Sequence, residues 1–91
     1  MVNLLPDVIY RMTSLTTLKI GDCSLSTLSD DLSSLNNLTE LDLNGNLFSK
    51  RGVPKVIFKL TCLKILNVNL CDLQQIPDDL SKLTSLSDLD Y

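Results

Sequence analysis

One pattern constrains this chain more than any other: an apolar frame that recurs along almost its whole length. Leu15-x-x-Leu18-x-Ile20-x-x-Cys23-x-Leu25 returns as Leu38-x-x-Leu41-x-Leu43-x-x-Asn46 and again as Leu63-x-x-Leu66-x-Val68-x-x-Cys71-x-Leu73. It starts once more as Leu86-x-x-Leu89-x-Tyr91, and the steps are 23, 25 and 23 residues. The second half of each block keeps register too. LSDDLSSL (Leu28–Leu35) matches IPDDLSKL (Ile76–Leu83), LPDVIYRM (Leu5–Met12) and, after two extra residues following Phe48, VPKVIFKL (Val53–Leu60). Self-similarity at such a period means stacked units that bury a shared core, because one unit cannot bury its apolar face alone. The composition agrees: 21 of 91 residues are Leu, against two Phe, two Tyr and no Trp, so the core is aliphatic and repetitive.

Within each block, Leu-x-Leu alternation puts two apolar side chains on one face of a short strand and the intervening ones on the other. The chain must then turn sharply at Cys23, Asn46 and Cys71. A buried side chain there bonds the turning backbone, and stacked copies form a ladder that satisfies otherwise orphaned groups. Cys is a weaker donor than Asn, so two of the three rungs are expected to be softer. Pro6, Pro54 and Pro77 share one column of the return segment, where a fixed φ suits a turn or the first residue of a short helix. Ile9, Leu32, Ile57 and Leu80 then face inward.

This arrangement resembles the leucine-rich-repeat family, whose pattern L-x-x-L-x-L-x-x-N/C-x-L is present three times. Repeats of 23 residues followed by (I/L)-P-x-x-L-x-x-L look like its intracellular signalling and scaffold branch. The resemblance implies an α/β solenoid, a right-handed superhelix of about three to four repeats. Short parallel strands line its concave face and 3₁₀ or irregular segments its convex face. We expect a single domain over 1–91: a partial repeat 1–14, repeats 15–37, 38–62 and 63–85, and a terminal strand 86–91.

Three other local signals compete with this frame. Asn44-Gly45 between apolar runs is a hairpin signal, but the aligned dipeptides Gly21-Asp22 and Asn69-Leu70 are not hairpin turns. Asp42-x-Asn44-x-Asn46 begins like a calcium loop, which requires Gly at its sixth position and Glu at its twelfth; Leu47 and Val53 stand there. Asn37-Leu38-Thr39 has the form of a glycosylation acceptor. The N-terminal MVNLLPDVIY lacks a basic start and a long apolar run, so it does not read as a secretion signal.

Composition excludes several classes of function. Net charge is −3, whereas nucleic-acid binding needs a basic face. Histidine is absent, which removes the commonest general base and metal ligand. Three cysteines, none in a C-x-x-C pair, form no disulfide scaffold or zinc site and suit reduced thiols in the cytoplasm. Cys62 has no histidine to activate it. No nucleophile elbow and no phosphate-binding glycine loop is present. No stretch is apolar enough for membrane insertion. We therefore expect no enzyme, no catalytic residues, no cofactor and no metal.

The remaining candidates are surfaces. The outward strand positions fall into columns: Thr17, Glu40, Ile65, Asp88; then Lys19, Asp42, Asn67, Asp90; then Gly21, Asn44, Asn69. This face is polar and increasingly acidic toward the C-terminus. It is either a plain solvated surface or a seat for a basic or amide-rich segment of a protein ligand. Lys50, Arg51, Lys55 and Lys59 form a secondary basic patch. Stacking should place Lys55 between Asp30 and Asp78, in an inter-repeat ion pair. Phe58 aligns with Tyr10, Ser33 and Ser81, so it is expected as an exposed aromatic on the convex side. Leu86, Leu89 and Tyr91 make an edge strand whose unpaired groups invite association, and a homodimer through it is expected. The half repeat Leu5–Met12 should shield the other end. The resulting expectation is a cytoplasmic, non-enzymatic scaffold or signalling module that binds protein ligands, with innate-immune recognition of microbial components as the alternative.

Overall fold

The computed structural model describes residues 5–48, 52–71, 73 and 77–91. Four three-residue strands, β1 (Thr17–Lys19), β2 (Glu40–Asp42), β3 (Ile65–Asn67) and β4 (Asp88–Asp90), form one parallel sheet in chain order. Thr17 lies opposite Glu40, Glu40 opposite Ile65, and Ile65 opposite Asp88. These partners are the columns expected from the repeat. A five-residue 3₁₀ helix precedes each strand: η1 (Asp7–Arg11), η2 (Asp30–Ser34), η3 (Lys55–Lys59) and η4 (Asp78–Lys82).

The return segments are 3₁₀ because their apolar residues recur every third position. Leu32, Leu35 and Leu38 are fully buried, and the N–H of each donates to the carbonyl three residues earlier, at 3.0, 3.0 and 3.2 Å. Ile57, Leu60 and Leu63 repeat this at 3.2, 3.0 and 3.0 Å. A 3₁₀ helix has 3.0 residues per turn, so side chains at i and i+3 eclipse on one face. An α-helix would rotate the third leucine away from the core. Pro6, Pro54 and Pro77 are the N-caps, with φ −60°, −58° and −72°. Ser29 occupies the same column with φ −66° and caps η2 by accepting from the Asp31 N–H at 3.1 Å.

Leu18, Leu41 and Leu66 point inward from successive strands and meet the 3₁₀ side chains in one core. Leu5, Ile9, Tyr10 and Leu15 pack on its N-terminal end, so Leu18 and Ile20 are only 9% exposed there. At the other end Leu80, Leu86 and Leu89 are half-buried, and Tyr91, in the column of Leu43 and Val68, is 71% exposed.

Phe58 corrects an expectation. It is buried, as are Val56 and Ile57 beside it. The aligned residues of the flanking repeats, Ser33 and Ser81, are half-buried and exposed, so the column is buried only where it carries an aromatic ring that gains from leaving water. The two extra residues after Phe48 fall around 49–51, outside the described residues. The Gly52 N–H donates back to the Phe48 carbonyl at 2.7 Å and closes this insertion with φ +75°.

Candidate functional site

The turn after each strand sets the geometry of the strand face. Asp22, Gly45 and Leu70 share one column and all adopt the left-handed conformation, at φ 54°, 69° and 57°. Gly45 meets this at little cost, whereas a leucine does so at about 1–2 kcal/mol. A Cβ at Gly45 would also displace the exposed Asp22 carboxylate of the neighbouring repeat.

Asn46 is the central rung of the buried ladder. Its Oδ1 accepts from the Cys23 and Leu25 N–H groups at 3.2 and 3.0 Å, and its Nδ2 donates to the Ile20 and Leu43 carbonyls at 3.0 and 2.8 Å. Cys71 is the next rung, its Sγ donating to the Leu43 carbonyl at 3.1 Å. Burial pushes this thiol's pKa up, hydrogen bonds from the Asn46 and Gly45 backbone oppose the rise, and Asp42 adds to it. Cys23 departs from the expected pattern: it is exposed, and its Sγ reaches only the Gly21 carbonyl at 3.4 Å. Ser24 beside it is left-handed at φ 58°, and the Cys23 backbone N–H rather than its thiol joins the ladder. No buried side-chain N or O atom among the described residues lacks a partner.

On the outward face, Thr17, Lys19, Ile65, Asp88 and Asp90 are exposed, while Glu40, Asp42, Asn44, Asn67 and Asn69 are half-buried. Asp42 and Asn67 are partly committed to the fold. The Asp42 Oδ1 accepts from the Asn44 N–H at 3.0 Å, and the Asn67 Oδ1 accepts from the Asn69 N–H at 2.9 Å. The sequence carried a signal for this second role, because Asp and Asn two residues ahead of a turn commonly bond its backbone. Asn69 in turn accepts from the Leu70 N–H at 2.9 Å. Asn44 lies over Gly21, where any side chain would collide with its Oδ1. Lys19 and Glu40 approach diagonally across β1 and β2 to 3.7 Å. Toward the C-terminal end a cleft of about 380 Å³ lies over β3 and β4, with Ile65, Asn67, Asp88 and Asp90 in its lining.

Two other candidates separate from this face. Lys55 and Lys59 are exposed on η3, while Lys50 and Arg51 of the proposed basic patch lie outside the described residues. Lys55 makes no ion pair with Asp30 or Asp78, contrary to expectation; the two salt bridges among the described residues are Lys19–Glu40 and Lys82–Asp79. Such exposed pairs are worth only about 0–1 kcal/mol, too little to order the long Lys55 side chain. Leu86 and Leu89 are half-buried around β4, and among the described residues β4 pairs only with β3. No group of three or more metal-ligating side chains occurs among the described residues.

The Leucine Rich Repeat family model matches residues 37–60, which span the end of η2's return, β2, the Asn46 turn and η3. The fold also superposes on an LRR protein of Leptospira interrogans with a TM-score of 0.71, over 97% of this chain at 23% identity. The fold is that of a leucine-rich-repeat solenoid. The leucine-rich-repeat solenoid described here spans 28% of the length of that Leptospira protein. No curated protein matches the chain in sequence.

Proposed function

We propose that this leucine-rich-repeat unit is a non-enzymatic module that binds a protein ligand across its strand face. The observation that carries this reading is the division of labour within each strand. Leu18, Leu41, Leu66 and Leu89 supply the core side, while Thr17, Ile65, Asp88 and Asp90 are exposed on the other side. A regular sheet face held by a rigid ladder offers a partner a preorganised row of side chains, which lowers the ordering cost of binding. Leucine-rich repeats in general serve as interaction modules of this kind.

Within that class we favour a cytoplasmic scaffold or signalling role over recognition of microbial components. The exposed free thiols of Cys23 and Cys62 support a reducing compartment. We also propose self-association through β4, which among the described residues pairs only with β3 and where Leu89 and Tyr91 keep apolar surface. Light scattering on the purified chain tests this: a strict monomer at tens of micromolar overturns it, and Leu89→Lys with Tyr91→Lys should shift any dimer toward monomer.

The binding reading is tested with the variant Thr17→Arg/Ile65→Arg, which alters outward positions that hold no turn. The variant should melt like the wild type and lose the proteins that the wild type retains from cytosolic extract. Identical capture by both sinks the reading. Asp42, Asn44 and Asn67 are poorer choices, because Asp42 and Asn67 brace the turn that ends each strand and Asn44 packs over Gly21.

A further inference from the structure

The chain carries eleven acidic and eight basic side chains. Four of the acids, Glu40, Asp42, Asp88 and Asp90, stand on the outward rows of the sheet, and Lys19 is the one base in those rows. The rows therefore hold the whole net charge of −3, since seven acids and seven bases balance elsewhere in the sequence. This charge is also uneven along the face. At the N-terminal end Lys19 lies 3.7 Å from Glu40 and offsets it. Asp42 gives one oxygen to the Asn44 N–H. Asp88 and Asp90 are exposed and make no salt bridge among the described residues. They alternate along β4, so their Cα atoms lie roughly 6.8 Å apart on one face.

Ile65 is the one large apolar side chain in the rows, and it is 38% exposed directly opposite Asp88. The cleft of about 380 Å³ is lined by both, together with Asn67 and Asp90. A low-dielectric wall beside uncompensated carboxylates concentrates their field on whatever enters. A cationic side chain with an aliphatic stem satisfies both features: the stem lies on apolar surface while the head reaches the charge. Guanidinium does so best, because its planar fork bonds carboxylate oxygens in pairs. A second copy of this acidic face is a poor occupant of the cleft, since it would set carboxylates against carboxylates.

Resting on the protein-binding reading above, we infer that the C-terminal half of the strand face seats an extended cationic segment of a protein partner. One arginine or lysine lies over Asp88 and Asp90, and its stem or a neighbouring apolar residue lies on Ile65. The Lys19–Glu40 pair cancels two charges in the N-terminal half and leaves Asp42 alone there, against Asp88 and Asp90 in the C-terminal half.

Fluorescence anisotropy on the full chain tests this with two labelled probes, a peptide alternating arginine, serine and leucine and its counterpart with glutamate for arginine. The arginine peptide should bind and the glutamate peptide should not. Asp88→Asn/Asp90→Asn should weaken the arginine peptide about fivefold or more, as loss of two partly exposed charge pairs implies. Ile65→Ser should weaken it as well, while Asp30→Asn, off the face, should leave it unchanged. Equal binding of both peptides overturns the inference, as does an Asp88→Asn/Asp90→Asn variant that melts like the wild type and binds undiminished. If neither peptide binds while Thr17→Arg/Ile65→Arg abolishes capture from extract, the inference falls and the protein-binding reading stands.

Discussion

At the residue scale, the turn column sets the terms. Asp22, Gly45 and Leu70 adopt the same left-handed conformation, yet only glycine does so at little cost. Leu70 is also 78% exposed, so its side chain gains little from packing. Replacing it with glycine removes about 1–2 kcal/mol of backbone strain and adds about 0.5–1 kcal/mol of unfolded-state entropy. Leu70→Gly should therefore stabilise the fold by roughly 0.5–1 kcal/mol, read as a higher urea midpoint; a lower midpoint would mean that Leu70 is held by contacts its exposure conceals. Cys71 gives a pH prediction. Burial holds its thiol above its ordinary range in the folded state. Below that range both states keep the proton and this contribution to stability is fully present. As pH rises through it the unfolded chain releases its proton first, so stability falls with rising pH. The urea midpoint should decline between neutral and mildly alkaline pH, and less steeply in Cys71→Ala. Equal slopes would show that the thiol is not the cause.

At the element scale, the spacing of leucines decides what kind of helix forms. L-x-x-L-x-x-L in Leu32–Leu38 and its counterparts matches the three-residue turn of a 3₁₀ helix, and the i→i+3 bonds follow from it. The strand columns were legible in the sequence from periodicity, while the returns were expected only as 3₁₀ or irregular segments. The burial of Phe58 was not legible. Alignment with Ser33 and Ser81 implied a solvated position, since a column of small polar residues reads as surface. The ring is buried in the common core, where its apolar area leaves water, as the serines of that column have no reason to do. Phe58→Ser, which makes η3 resemble its neighbours, should thus cost about 3 kcal/mol, in the range of large-to-small core substitutions. Thermal unfolding measures this, and a loss below about 0.5 kcal/mol would return Phe58 to the surface. The same limit applies to Cys23: it shares the ladder column with Asn46 and Cys71, but a left-handed Ser24 beside it leaves its thiol outside.

At the scale of the whole molecule, salt separates the two associations proposed here. Binding of a cationic segment at Asp88 and Asp90 is attractive and weakens as screening shortens the reach of the charges. Self-association that brings two copies of β4 together is opposed by the same carboxylates. Raising ionic strength from about 0.05 to 0.5 M should therefore weaken the arginine peptide in anisotropy and increase the mass seen by light scattering. Both quantities moving in one direction would place the peptide and the second copy elsewhere than on the shared acidic strand.

The sequence by itself determined the repeat, the parallel sheet, its register and the side chains that face outward. A period of 2 in the strands puts the leucines on one face, and stacking of the repeats then aligns the columns. Only the tertiary structure decided which outward residues are free. Asp42 and Asn67 read in the sequence as plain outward residues like Thr17 and Ile65, yet each braces the following turn through Oδ1. Likewise Lys19 is offset by Glu40 through a diagonal approach across two strands, whereas Lys55 stays apart from the acids aligned with it. Hydrogen bonds and ion pairs depend on distances and angles between side chains, which a register specifies only to the nearest neighbour.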